Sequence, residues 1–310
     1  MKKIVVAAVL LIIGQAAIWS QITTATDVGI QISSLPELKV SGIQSWTIPM
    51  FQGEGALTKG NNLKASARLE LTPIDLQLGG DLVLTPIAFL QFGFGGRIGS
   101  GWNIKLFGGD LYGIGINTQK NDGTNKGQIN GSAFEGMFWN VHANGLFQFD
   151  LAAILPGAWN HVVFQTTHEI NYKGLTSAQP GDAWIFQNDF AENQNGFNYY
   201  GSFVLGYQMP IILNMVALMA EVNTYLYDTS NGDQWGDSSG RWIFSLLGNF
   251  NISPRFSAAL IAQLRTVREY TDSTSDSTKR VEKPFYQTRS YSSTKFEFYR
   301  VALLMSIKLL

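Results

Sequence analysis

The sequence predicts an all-β fold, an antiparallel transmembrane β-barrel of about twelve strands, with ten or fourteen also compatible with the pattern. Three observations predict it. Many segments alternate apolar and polar residues with period two over lengths greater than an ordinary globular strand. From Trp102 onward, long polar loops alternate with tight Gly/Pro turns, as in barrels that turn sharply at one membrane face and loop widely at the other. Finally, charged residues make up only 15 % of the 310 residues, against roughly 25 % in soluble domains, while aromatics reach 13 % and glycines number 32.

The first residues read as an export signal. Lys2 and Lys3 precede an apolar run from Ile4 to Ile13, and small residues lead to Ser20. This predicts a signal peptide over 1–20. The apolar run is shorter than the ~20 residues of a membrane helix, and no later stretch reaches that length. Residues 21–36 contain a short alternating piece, Val28, Ile30 and Ile32, read as a periplasmic segment or a plug. The barrel is expected over 37–310.

Leu38 to Ile48 is a weak first strand, and 51–61 a Gly-rich outer loop. Asn62 to Thr72 alternates most cleanly: Leu63, Ala65, Ala67, Leu69 and Leu71 face one way, Lys64, Ser66, Arg68 and Glu70 the other. After Pro73, strands are expected at 74–84, with a bulge or bend at Gly79-Gly80, and at 88–94. Ile98 to Gly101 reads as a turn and Trp102 to Ile116 as a strand. Phe134 to Leu155 reads as one long strand with His142 and Asp150 on its polar face. Further strands are expected at 160–172, 197–209, 211–227, 241–251 and 256–269. The loop from Thr271 to Ser293 is the most charged.

The last segment, KFEFYRVALLMSIKLL, puts Tyr299, Val301, Leu303, Met305, Ile307 and Leu309 on one face. Arg300, Ala302, Ser306 and Lys308 lie on the other. A terminal strand of this kind resembles the closing strand of bacterial outer-membrane β-barrel proteins. The resemblance implies an outer-membrane location, contact with outer-membrane lipid, and recognition by the barrel assembly machinery.

Little in the sequence carries covalent chemistry. The absence of cysteine excludes disulfides, thiol catalysis and Cys-based metal sites. A net charge of -1 argues against a nucleic-acid partner. His142-Ala143-Asn144-Gly145 is similar to the His-x-Ser-Asn-Gly motif of outer-membrane phospholipase A, but the serine is missing, and without it the histidine has no hydroxyl to activate. His168 is read as a girdle or rim residue near the outer end of its strand. Asp228, Asn231, Asp233 and Asp237 lack EF-hand spacing and read as a solvated loop. No enzyme, metal site or cofactor is expected.

Alternation turns Lys64, Arg68, Glu70, Asp150, Glu221, Arg265, Glu269, Arg300 and Lys308 toward the lumen. It also turns Ile211, Leu213, Met215, Met219, Ile243 and Leu247 inward. A partly apolar lumen suits a narrow channel or passive transporter for small or amphipathic solutes better than a wide aqueous pore. The alternative is a structural or adhesive surface barrel with no open pore, working through its outer loops.

Overall fold

The computed structural model describes residues 22–34, 37–106, 109–118, 128–130, 132–179, 182–187, 189, 193–226, 239–272 and 289–309. The strands in chain order are β1 (Thr23–Ser33), β2 (Glu37–Pro49), β3 (Asn62–Leu71), β4 (Asp75–Ile87), β5 (Leu90–Gly101), β6 (Asn103–Leu106), β7 (Gly109–Tyr112), β8 (Ile114–Thr118) and β9 (Gln128–Asn130). They continue as β10 (Phe138–Asp150), β11 (His161–Leu175), β12 (Ala183–Phe186), β13 (Gly196–Gln208), β14 (Leu213–Tyr225), β15 (Arg241–Asn251), β16 (Phe256–Asp272) and β17 (Arg289–Lys308). Twelve of them close into a barrel in the order β1-β17-β16-β15-β14-β13-β11-β10-β5-β4-β3-β2. All the pairings are antiparallel, and β1 joins β17 from Asp27 opposite Lys308 to Ser33 opposite Ala302.

Strand length and side-chain sorting explain why this sheet closes around a polar interior. Most barrel strands run 10 to 13 residues, and ~9–11 tilted residues span a bilayer. Outward positions are apolar and open, including Leu69 at 52 % exposure, Phe94 at 58 % and Leu218 at 61 %. Inward positions on the same strands are polar and covered, including Glu70, Gln77, Asn140, Asn171 and Ser245. Apolar outside and polar inside inverts the soluble arrangement, and closure leaves no unpaired strand edge in the membrane.

Several sequence readings need correction. Residues 23–33 are neither plug nor periplasmic extension. They form β1, paired on both sides, and they complete the barrel between β2 and β17. Conversely, 102–116 is not a barrel strand; it supplies β6, β7 and β8 outside the wall. These differences offset each other, so the count of twelve stands while its membership changes. The stretch 98–101, expected to turn, extends β5.

Another correction concerns the end at which a connection lies. The connection 50–61 lies at the barrel end where β1 begins and β17 finishes, packed on the β4–β5 turn through Ala88 N donating to Leu57 O (2.8 Å). It therefore lies at the end opposite the other long connections. The long connections after β5, β11, β14 and β16 leave from the opposite end, here called the loop end. The expected bulge at Gly79-Gly80 is absent, since β3 and β5 pair through it without a shift. The irregularity of that hairpin lies between Leu84 and Ile87. The signal peptide over 1–20 and the acidic residues 228–237 lie outside the described residues.

The main apolar core among the described residues sits at the loop end rather than in the barrel. Strands β12, β8 and β9 form a separate sheet. Ile114, Trp184 and Phe186 of this sheet pack with Phe138, Leu175 and Ala178. Phe138 stacks on Phe186 with ring centroids 4.4 Å apart. Asn195 ties the arrangement down, its Oδ1 accepting from Trp184 Nε1 (3.0 Å) and from the Leu175 amide (2.8 Å).

Candidate functional site: a polar lumen beneath a loop sheet

The lumen wall is built from side chains that alternation brings inward, and most of its charges meet partners across strands. Near the seam, Arg300 is ion-paired with Glu37 and its Nε donates to Gln263 Oε1 (2.7 Å). Gln263 in turn donates to the Ser245 hydroxyl (2.9 Å). Arg265 and Glu297 meet at 2.7 Å. Tyr299 lies between the two arginines, its ring 4.3 Å from the Arg265 guanidinium carbon and 4.8 Å from that of Arg300.

That position overturns the reading of Tyr299 as part of the outward face. The β16–β17 register shifts between Gln263 and Leu264, so Tyr299 and Arg300 together oppose Gln263. A bulge of this kind reverses phase. Outward residues are therefore Phe296 and Phe298 before it, and Val301, Leu303 and Met305 after it. The signal was present: Phe296 and Phe298 are out of phase with Val301, and both sets cannot face lipid without an extra residue between them.

A second polar group lines the wall from β2 to β11. Lys39 and Arg68 approach Glu70 at 3.6 and 3.5 Å. His142 Nε2 meets Asp81 at 3.0 Å, and its Nδ1 lies 3.2 Å from Asn140 Oδ1. Asn140 donates to Asn171 (3.4 Å), which donates to Glu169 (3.1 Å). Asp81 and His142 belong to β4 and β10, with β5 between. They meet because Gly95 stands between them. A Cβ there would lie 2.2 Å from Asp81 Oδ1 and 2.9 Å from His142 Cε1. Farther round the wall, Tyr200 donates to Glu221 (2.6 Å).

Basic residues concentrate toward the loop end. Lys173 lies within electrostatic reach of Arg97 and Arg241, balanced by Glu169 and Asp189. Arg241 and Arg268 both lie over the Tyr225 ring, at 5.6 and 5.4 Å. Tyr225 also packs, with Tyr112, against Ala183 and Ile185 of the loop sheet. On the other side, Gln187 at the end of β12 donates to the fully buried Asp75 of β4 (3.1 Å). β4 and β14 are nearly opposite in the ring. The loop sheet therefore reaches across the mouth from wall to wall. Burial, with Asp110 beside it, holds the Tyr112 phenol above its ordinary pKa.

Of the lumen residues read from sequence, Arg68, Glu70, Glu221, Arg265 and Arg300 take part in these networks. Asp150 pairs with His161 at 2.7 Å, at the end of the barrel away from the loop sheet. Lys64 stands exposed near the β2–β3 connection, and Lys308 exposed at the rim opposite Asp27. The β15–β16 register ends at Arg265, and beyond it Glu269 bonds Ser293 and Lys295 on the β16–β17 ribbon.

The apolar part of the lumen is also adjusted. Met215, Met219, Ile243 and Leu247 share the inward register with Val204 and Ile261. Ile211 falls in the β13–β14 turn. Leu213 opposes the outward Phe250, because the register shifts between Leu213 and Met215. His168 is not at the rim. It stands mid-strand on the outer face, between Gly145 and Gly201 of the adjacent strands.

Sequence reasoning missed Glu37, Asp81, Arg97, Lys173, Arg241 and Tyr299. Asp81 stood in phase with inward neighbours inside the strand read at 74–84, and Arg97 lay just beyond the strand read at 88–94. Among the described residues, no group of three or more His, Asp or Glu side chains is placed to hold a metal ion.

No protein-family model and no curated protein matches the chain. Among solved structures it is similar to the KdgM porin, with a TM-score of 0.40 and 6 % identity over 91 % of this chain and 98 % of that one. It is similar to the β domain of the Bordetella autotransporter BrkA, with a TM-score of 0.39 and 9 % identity over 93 % and 98 %. It is also similar to the outer membrane protein OprD from Pseudomonas aeruginosa, with a TM-score of 0.27 and 8 % identity over 92 % of each chain. Twelve antiparallel strands closed on themselves, apolar outside and polar within, make this chain a transmembrane β-barrel of the outer-membrane type.

Proposed function

We propose that the protein is an outer-membrane barrel acting as a narrow channel or passive transporter for small amphipathic solutes. The carrying observation is the division of the lumen into two unlike walls. One wall, from β2 round to β11 and at the β16–β17 seam, holds the paired charges around Glu70, His142 and Arg300. The other, on the half of β13 to β16 away from the loop end, presents Val204, Met215, Met219, Leu247 and Ile261, with Tyr200–Glu221 and Ser245–Gln263 toward the loop end of the same strands. A solute with a polar and an apolar side can keep both satisfied along this path, whereas an ion alone gains nothing from the second wall.

The test is conductance of the refolded protein in planar bilayers, with amphipathic solutes added to one side. Discrete current steps that such solutes block support the reading. A second reading is favoured by the loop sheet that reaches from Asp75 to Tyr225: a closed barrel working through its surface loops. A folded barrel, shown by heat-modifiable gel mobility, that gives no current and admits no solute into vesicles would decide for that alternative.

A further inference from the structure

Two cations of the inner wall stand outside its ion-pair networks. Arg97 of β5 and Lys173 of β11 both lie opposite Asn140 of β10, one on each side, so they share one row across the sheet. Neighbouring strands are about 4.8 Å apart, which puts the two Cβ atoms about 10 Å from each other. Their charged ends are within electrostatic reach. Among the described residues, no carboxylate lies within ion-pair distance of either, whereas Lys39, Arg68, Arg265 and Arg300 each have one. On the lumen side Arg97 is exposed and Lys173 partly exposed. The row continues into glycine at both ends, with Gly79 beyond Arg97 and Gly196 beyond Lys173. Gly79 makes room for the arginine: a Cβ there would lie 2.8 Å from Arg97 Cγ.

The surroundings leave these charges uncompensated at short range. Lys173 and Asn140 stand two residues from Leu175 and Phe138, which belong to the loop-end core, so the pair lies just beneath the loop sheet. Arg241 adds a further positive charge within reach of Lys173. Glu169 and Asp189 are also within its reach, but they accept from Asn171 (3.1 Å) and Asn193 instead. Asp81, within reach of Arg97, is bonded to His142 at 3.0 Å. Like charges on either side of one residue, under a sheet that limits water, repel more strongly than in bulk solvent. An oxyanion between them relieves both. It can accept two parallel bonds from the guanidinium and one charge-assisted bond from the ammonium.

From this juxtaposition we infer that Arg97 and Lys173 form a binding site for an oxyanion, a carboxylate or phosphate monoester carried by the solute. The inference rests on the reading of the lumen as a path for amphipathic solutes, and it gives their polar end a charge and a place. The paired cations elsewhere on the wall tie strands to one another. These two have no such partner and face the lumen. An anionic head held here leaves the rest of the solute toward the apolar half of β13 to β16, farther from the loop end.

The test is isothermal titration calorimetry on the refolded protein in dodecyl maltoside, with benzoate, phenyl phosphate and neutral benzamide as probes. Wild-type protein is expected to bind benzoate or phenyl phosphate at one site per chain, and benzamide at least tenfold more weakly. Arg97→Gln and Lys173→Gln are each expected to weaken anion binding roughly tenfold. Lys64→Gln, which removes the same charge near the other end of the barrel, binds as wild type. Heat-modifiable mobility certifies that each variant is folded. Binding of benzoate alone makes the ligand group a carboxylate, and of phenyl phosphate alone a phosphate. No binding of either anion to wild type overturns the site. So does wild-type affinity in both the Arg97 and Lys173 variants, an equal loss in Lys64→Gln, or equal binding of benzamide. Binding without conductance would keep the site and sink the channel, and conductance without binding would do the reverse.

Discussion

Arg300 on the last strand is ion-paired with Glu37 at the head of β2, although β1 runs between their two strands. Gln31 and Ser33 of β1 donate to the same Glu37 carboxylate, at 3.1 and 3.3 Å. Three strands are thus joined at the point where the sheet meets itself. The last barrel contacts to form are non-local, so they bear the largest loop-closure entropy. A charge-assisted knot there holds the seam.

Glu37→Gln is expected to lower the stability of the folded barrel by about 1–2 kcal/mol, because it leaves a partly buried guanidinium without its partner. Arg300→Gln alone should cost a similar amount, and the double variant less than the sum. Urea midpoints for reversible unfolding in lipid vesicles provide the measurement. Additive losses would show that the two side chains do not interact.

Gly95→Ala is expected to destabilise the barrel by about 1–3 kcal/mol, through overpacking against Asp81 and His142. Gly145→Ala is the internal control. Nothing lies within 4 Å of a Cβ at that position, and alanine in an extended strand is favoured over glycine. Unfolding midpoints should move in opposite directions for the two variants. Equal midpoints would mean that the Asp81–His142 contact has no tight packing.

Trp184→Ala should release the loop sheet while sparing the wall. Its side chain is 1 % exposed and central to the only cluster joining Ile114, Phe138 and Leu175 among the described residues. Truncation of a buried tryptophan costs about 3–5 kcal/mol, borne here by the small sheet alone. Limited proteolysis should cut within 102–137 or 176–195 while heat-modifiable mobility persists. Under the channel reading, current per step should also rise.

Arg68→Gln and Arg265→Gln are expected to shift ion selectivity toward cations, by removing positive charge from the lumen wall. The reversal potential under a salt gradient measures it. Arg268, held by the Ser239 carbonyl and Tyr225 at the loop end, lies beside the region the loop sheet crosses, and its replacement by Gln should act in the same direction.

The amino-acid sequence by itself determined the class of fold, because alternation is a local property. Leu63 to Leu71 declares which side meets hydrocarbon without reference to any other strand, and the residue types on each face say that the inside is polar. The same alternation puts Arg68 and Glu70 on one face of their strand and sets Glu221 opposite the apolar face of its own. Only the tertiary structure decided which segments were strands of the wall. Residues 23–33 and 102–116 have similar local patterns, and one closes the barrel while the other folds outside it, a choice made by pairing with β17 and by the loop-end core. Register was equally out of local reach: a single bulge turned Tyr299 inward between two arginines, and another turned Leu213 out. Contacts such as Arg300 with Glu37, or Asp81 with His142 over Gly95, join strands that are not neighbours. They exist only once the sheet has closed, because closure fixes which distant residues come within bonding distance.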